Sequence, residues 1–159
     1  MNVDKKQLII RNPDYYSELE FARRLKLKGQ ESYFPFKDRG IDIVGINKKG
    51  CPFFYQLKAR NINRQYNSYW FPVKLKKLIE FPRGKNCYWV FCAFKDKGKI
   101  DFFQVPISIV LKWYNETIRT KKNKDEDHLQ IDYKKGTYRI APERVAKKIN
   151  IMKYLLKLS

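Results

Sequence analysis

The chain has 159 residues, with 35 Lys and Arg against 16 Asp and Glu, a formal charge of +19 and 43% hydrophobic content. That length and apolar share predict one domain with a real core, while the excess of positive charge opposes compaction and draws the protein toward polyanions. No apolar run approaches the roughly 20 residues that span a bilayer, the N-terminus lacks a signal-peptide pattern, and Cys51, Cys87 and Cys92 have no metal-ligand spacing, so a cytoplasmic protein with reduced thiols and no membrane partner is expected.

The first predicted element is a helix over 14–28, with Asp14 or Ser17 as N-cap, Ser17 and Glu20 at capping-box spacing, and Gly29 as the stop. At about 100° per residue, Tyr15, Leu19, Phe21, Ala22 and Leu25 share one direction. Glu18 falls inside that stripe, whereas Glu20 lies opposite it among Arg23, Arg24 and Lys28. An acid in a buried stripe is costly unless it is paired or binds a metal, which singles out Glu18. The plainer alternative is a boundary residue favoured by the helix dipole.

Residues 32–36 read as a strand, and Pro35 places it at a sheet edge. Residues 41–47 and 53–59 read as two strands of a hairpin around Asn47-Lys48-Lys49-Gly50. Such a hairpin sets Asp42 opposite a residue between 55 and 58, depending on loop length. Side chains alternate along a strand, so Gln56 and Lys58 point the same way. A carboxylate, an amide and an ammonium then converge on one sheet face, the same face to which the helix brings Glu18. A surface ion pair between Asp42 and Lys58 is the alternative, and such pairs are common and individually weak.

The stretch 60–72 reads as a substrate-facing loop, 74–79 as a short crossover helix, and 87–94 as a buried strand. A strand over 100–105 and a helix from Pro106 to about Tyr114 follow. Residues 115–128 read as a charged loop with His128 at the surface, and 129–133 and 137–140 as a hairpin around Lys135-Gly136. The last expected element is a basic amphipathic helix from about Pro142, with Val145, Ile149, Met152, Leu155 and Leu156 at helical spacing. It would pack on the core or form a dimer contact. The organisation is one domain over 1–159, with a core at about 14–114 and the terminal hairpin and helix at about 129–158.

Glu18 on the first helix, Asp42 after Arg39-Gly40-Ile41, and Gln56-Leu57-Lys58 closing the next strand resemble the PD-(D/E)XK nuclease superfamily. The variant is the Gln-x-Lys one, similar to Mrr-like restriction endonucleases and archaeal Holliday-junction resolvases. The resemblance covers roughly residues 14–60, more loosely to about 105, and departs from the most familiar pattern at Gln56, where an acid often stands. It implies an α/β fold with a restriction-endonuclease-like αβββαβ core and mixed central sheet. It also implies a metal-dependent DNA endonuclease using Mg²⁺, with Mn²⁺ as a substitute. The metal ligands would be Glu18, Asp42, the Gln56 oxygen and the Leu57 carbonyl, and Lys58 would orient the attacking water. A catalytically inactive nucleic-acid-binding module on the same fold is the alternative.

Composition agrees with a DNA partner. Arg60, Arg64, Lys74 and Lys76 are placed to hold phosphates, and Tyr69 and Trp70 either stack on distorted bases or anchor their segment to the core. Cutting two strands requires two sites, which two-fold symmetry supplies, so a homodimer or higher homo-oligomer is expected.

Overall fold

The computed structural model describes residues 13–36, 40–95, 98–118, 126–140 and 149–157. The first described element is α1, Pro13–Leu27. Proline suits the first helical position because its missing N–H has no intrahelical partner to lose. Gly29 ends the helix at a φ of 78°, a left-handed conformation that glycine adopts without a Cβ penalty. The buried line of α1 is Ser17, Phe21 and Leu25, spaced four apart. Tyr15 and Leu19, expected in the apolar stripe, are 51% and 43% exposed. Ser17 is no cap either: its Oγ donates to the Asp14 carbonyl at 2.7 Å. A small residue lets the helix lie close to the sheet there, and counting apolar residues alone misses that contact.

Five strands form the central sheet in the order β1-β2-β3-β5-β6. They are β1 (Gln30–Tyr33), β2 (Ile43–Asn47), β3 (Pro52–Asn61), β5 (Cys87–Phe94) and β6 (Ile100–Pro106). All pairs are antiparallel except β3 with β5, whose parallel register sets Gln56 beside Trp89 and Lys58 beside Phe91. The crossover between these two strands carries β4 (Ser68–Lys74) and the short α2 (Leu75–Glu80). After β6 comes α3 (Ile107–Ile118), and then β7 (Glu126–Lys134), β8 (Thr137–Ile140) and β9 (Ile149–Asn150). These last three strands join β4 in a second, antiparallel sheet ordered β4-β7-β8-β9. The mixed α/β architecture matches the expected fold class.

The layers follow from strand alternation. Tyr55, Leu57 and Ala59 of β3 and Val90 and Cys92 of β5 face Phe21 and Leu25 of α1. The alternate residues Trp89, Phe91 and Ala93, with Phe103 and Val105, face Phe71, Ile131 and Ile140 of the second sheet. Aromatic contacts bind these layers: Phe21 meets Tyr55 edge-on at 5.1 Å, and Phe71 meets Phe91 edge-on at 5.1 Å. Tyr69 closes the second interface, its hydroxyl donating to the Phe94 carbonyl at 3.1 Å. The central sheet is therefore buried on both sides, as near-continuous apolar strands such as 87–94 require.

Three expectations change. The stretch 60–72 is strand, turn and strand rather than a loop, with Asn63 bridged to Ser68 across the turn. Within the charged segment 115–128, α3 continues to Ile118 and β7 starts at Glu126. The terminal amphipathic helix does not form over 149–157, while its first part, 141–148, lies outside the described residues. Instead Ile149–Asn150 pairs with β8, Met152–Tyr154 makes one 3-10 turn, and the Leu156 N–H donates to the Phe102 carbonyl at 2.8 Å. Edge pairing with β8 and β6 buries Ile151 completely, which outweighs the helical spacing of the apolar residues.

Candidate active site

The site begins where β2 and β3 part. Their register sets Ile43 opposite Tyr55, and the Asp42 N–H extends the ladder by donating to the Tyr55 carbonyl at 2.9 Å. Asp42 thus lies against Gln56, as the hairpin geometry predicts. Gly40, two residues earlier, is buried with a φ of 80°, and its missing Cβ would lie 3.5 Å from Gln56 Oε1. Glycine here permits both the left-handed turn into the site and a close approach to the amide.

Beyond this point β3 runs on to Asn61 with β5 on one side only. The N–H groups on its other side need acceptors, and two carboxylates supply them. Asp42 Oδ2 accepts the Leu57 N–H at 2.6 Å and Gln56 Nε2 at 2.5 Å. Asp14 Oδ1, from α1, accepts the Ala59 N–H at 3.3 Å. Lys58 sits between these two anchored peptides, half-buried.

Gln56 is 1% exposed, and its Oε1 has no hydrogen-bond partner among the described residues. A buried amide oxygen left without a donor is a costly feature, and it is also a hard ligand beside a carboxylate. The carbonyl of Leu57 accepts Gln56 Nε2 at 3.3 Å, so the amide nitrogen lies between the Asp42 carboxylate and this carbonyl, and turning the amide over would bring Oε1 to them. Oxygen donors of this kind suit Mg²⁺ or Mn²⁺, which keep several waters and need few protein ligands. Among the described residues no cluster of three or more His, Cys, Asp or Glu side chains has the arrangement of a metal cage.

The glutamates separate. Glu20 binds Arg23 at 2.8 Å and Arg24 at 3.1 Å on the side of α1 that faces β6, where Arg24 also donates to the Ile100 carbonyl at 3.1 Å. The hydrogen bond from Arg23 lowers its carboxyl below the ordinary value, with partial burial opposing and Arg24 assisting. Glu18 is half-buried and follows Asp14 by one helical turn, so the two acids share a helix face. The helix packs on the Tyr55, Leu57 and Ala59 face of the sheet, opposite to the face of Gln56 and Lys58. The expectation that Glu18 comes to the same face is thus corrected: α1 reaches the site around the open edge of β3. Asp14, read from sequence only as a cap, is the acid that touches this edge directly. Beneath it lies Cys92, fully buried, its thiol pushed well up by desolvation and kept neutral.

The expected DNA-contacting residues divide as well. Arg60 folds onto its own strand, its Nη1 donating to the Ala59 carbonyl at 2.6 Å, and Arg64 is exposed in the β3–β4 turn. Lys74 and Lys76 are exposed at the start of α2. Tyr69 is completely buried, so it anchors β4 to the core and does not present its ring to a base. Trp70 is 45% exposed and stacks on Tyr66 at 5.8 Å. Among the described residues no helix is long and apolar enough to cross a membrane.

No protein-family model matches the chain, and no curated protein matches it either. Among solved structures the chain is similar to a bacterial homing endonuclease, I-Ssp6803I, with a TM-score of 0.52. The match covers 89% of this chain and 82% of that one at 16% identity. It shows a shared fold over most of both chains.

Proposed function

We propose that the protein is a metal-dependent DNA endonuclease whose site is the open edge of β3. The observation that supports this most is the Asp42 carboxylate held by Gln56 Nε2 and the Leu57 N–H, in a fold shared with a homing endonuclease. Asp42, the Gln56 oxygen and the Leu57 carbonyl would hold Mg²⁺ or Mn²⁺, with Glu18 joining directly or through water. When bound, the metal supplies a more acidic water and charge neutralisation at the scissile phosphate.

The chain's own residues do the rest. The two hydrogen bonds to Oδ2 fix the orientation of Asp42, so its carboxylate reorganises little when charge develops. Lys58 holds the attacking water and the phosphate oxygens by its three N–H donors. The net charge of +19 concentrates DNA at the surface before any specific contact forms. A homodimer would set two such sites on the two strands. The outer edge of β1, with Tyr33, Phe34 and Phe36 between 50% and 100% exposed, offers an apolar patch for it.

A second reading, DNA binding without cleavage, draws on Gln56 standing where an acid would add charge. One assay separates the two. Supercoiled plasmid incubated with the purified protein is nicked or linearised with Mg²⁺ or Mn²⁺ and stays intact with chelator on the first reading. Binding without any cutting under all three conditions supports the second.

A further inference from the structure

We propose that the β7–β8 hairpin and the outward face of the second sheet read base edges in the major groove of duplex DNA flanking the cut. This rests on the endonuclease reading above and adds to it the surface that selects a target.

The second sheet alternates cleanly. Its inward row across all four strands is Tyr69, Ile131, Ile140 and Ile149, apolar and mostly buried. The outward row one residue along is Ser68, Asp132, Arg139 and Asn150, polar throughout, with Ser68 buried and accepting Trp70 Nε1 at 2.9 Å. Trp70 and Gln130 pair on the same outward face, and Gln130 Nε2 donates to Asp132 Oδ1 at 2.9 Å. Arginine, asparagine, glutamine and aspartate are the side chains that match guanine, adenine and cytosine edges. Here they are spaced by strand register rather than scattered, and the Gln130 bond holds the Asp132 carboxylate in place.

Position and charge select the occupant. The Tyr133 N–H donates to the Asn67 carbonyl at 2.8 Å, which ties the β7–β8 turn to the β3–β4 turn. Both turns use left-handed residues, Asn67 at a φ of 48° and Lys135 at 49°. They therefore form a double tip at the C-terminal end of β3, the end that carries Lys58. Asn63 lies five positions beyond Lys58, about 17 Å at the rise of an extended chain. That distance corresponds to roughly five base pairs along a duplex. Arg64, Lys134, Lys135 and Arg139 surround this tip, and Asp132 is the acid among them, so the patch complements phosphate. A two-stranded ribbon also fits a groove about 12 Å wide.

The test is selection from a randomised duplex library by the full-length chain, with chelator present so that bound DNA is not cut. Wild type is compared with Arg139→Ala, Gln130→Ala and the Lys134→Ala/Lys135→Ala double variant, each checked for an unchanged thermal midpoint. Wild type should enrich a preferred sequence. Arg139→Ala and Gln130→Ala should each lose the preference at one or two positions, about 10- to 100-fold, with far smaller effects on scrambled duplex. The lysine pair should weaken binding to every sequence and lower the slope of log K against log salt by about two. Unchanged preferences in Arg139→Ala and Gln130→Ala would overturn the inference, as would a wild-type protein that binds and cuts with no preferred sequence. In the latter case the endonuclease reading stands. A wild type that binds no DNA would overturn both.

Discussion

The two halves of β3 obey the same backbone chemistry and end in different uses. At Phe54 and Tyr55 the strand has neighbours on both sides, and its Tyr55 is a core residue packed against Phe21. From Leu57 to Asn61 it keeps β5 but loses β2, and two carboxylates take the vacated N–H groups. The first half stabilises the fold. The second half turns a sheet-edge problem into a close contact of acid, amide and backbone N–H. A strand that outlasts its partner must recruit acceptors, and carboxylate acceptors of this kind also bind metals.

The sharpest way to break this comparison is to remove charge from the open half. Asp42→Asn and Lys58→Ala should each lower plasmid cleavage by at least about 100-fold, the scale of losing one organised electrostatic partner. Near-normal cutting by either would remove the open edge from the chemistry. Tyr55→Ala, in the laddered half, should act on stability instead, costing about 3–5 kcal/mol in denaturant titration. Lys58→Ala, by contrast, should change stability by no more than about 0.5 kcal/mol. If the two substitutions had similar effects on folding, the division within β3 would be wrong.

The glutamates extend the same contrast to α1. Glu18→Gln should cripple cleavage, whereas Glu20→Gln should leave it intact and cost about 1 kcal/mol from one exposed and one part-buried ion pair. The sign with pH is fixed by the lowered Glu20 carboxyl: its contribution is complete above the ordinary value of 4.5 and disappears as pH falls through the lower folded value. Wild type and Glu20→Gln should therefore converge in stability in acid. Gln56→Glu should have a subtler effect, tightening Mn²⁺ binding in calorimetry by adding charge beside Asp42. Equal affinities would show that this side chain is not a ligand.

Much of the site was legible because it is local. A four-residue turn fixes the hairpin register, and register alone brings Asp42 to Gln56. Glu20 was legible for the same reason, since its partners lie three and four residues away on one helix. What was missed depends on distant pairing. Asp14 looks like a helix cap until Ala59, 45 residues later, presents an open N–H. β4 reads as a loop because Trp70 and Pro72 interrupt its pattern, and only β7 pairing with it defines the strand. The terminal Ile149, Met152 and Leu155 keep helical spacing, yet β8 and β6 claim that segment for edge pairing. The layer order was also hidden, since no local signal says that α1 covers the face opposite Lys58.

The central claim is that the open half of β3 is the metal site, and crystallography with Mn²⁺ tests it most directly. Crystals of the protein grown with Mn²⁺ and a short duplex should give an anomalous peak about 2.0–2.3 Å from an Asp42 carboxylate oxygen, with Gln56 Oε1 or the Leu57 carbonyl as a second ligand. The peak should vanish in Asp42→Asn. A fully occupied peak elsewhere in the molecule, or none beside Asp42 in a protein that still cuts DNA, would contradict the account.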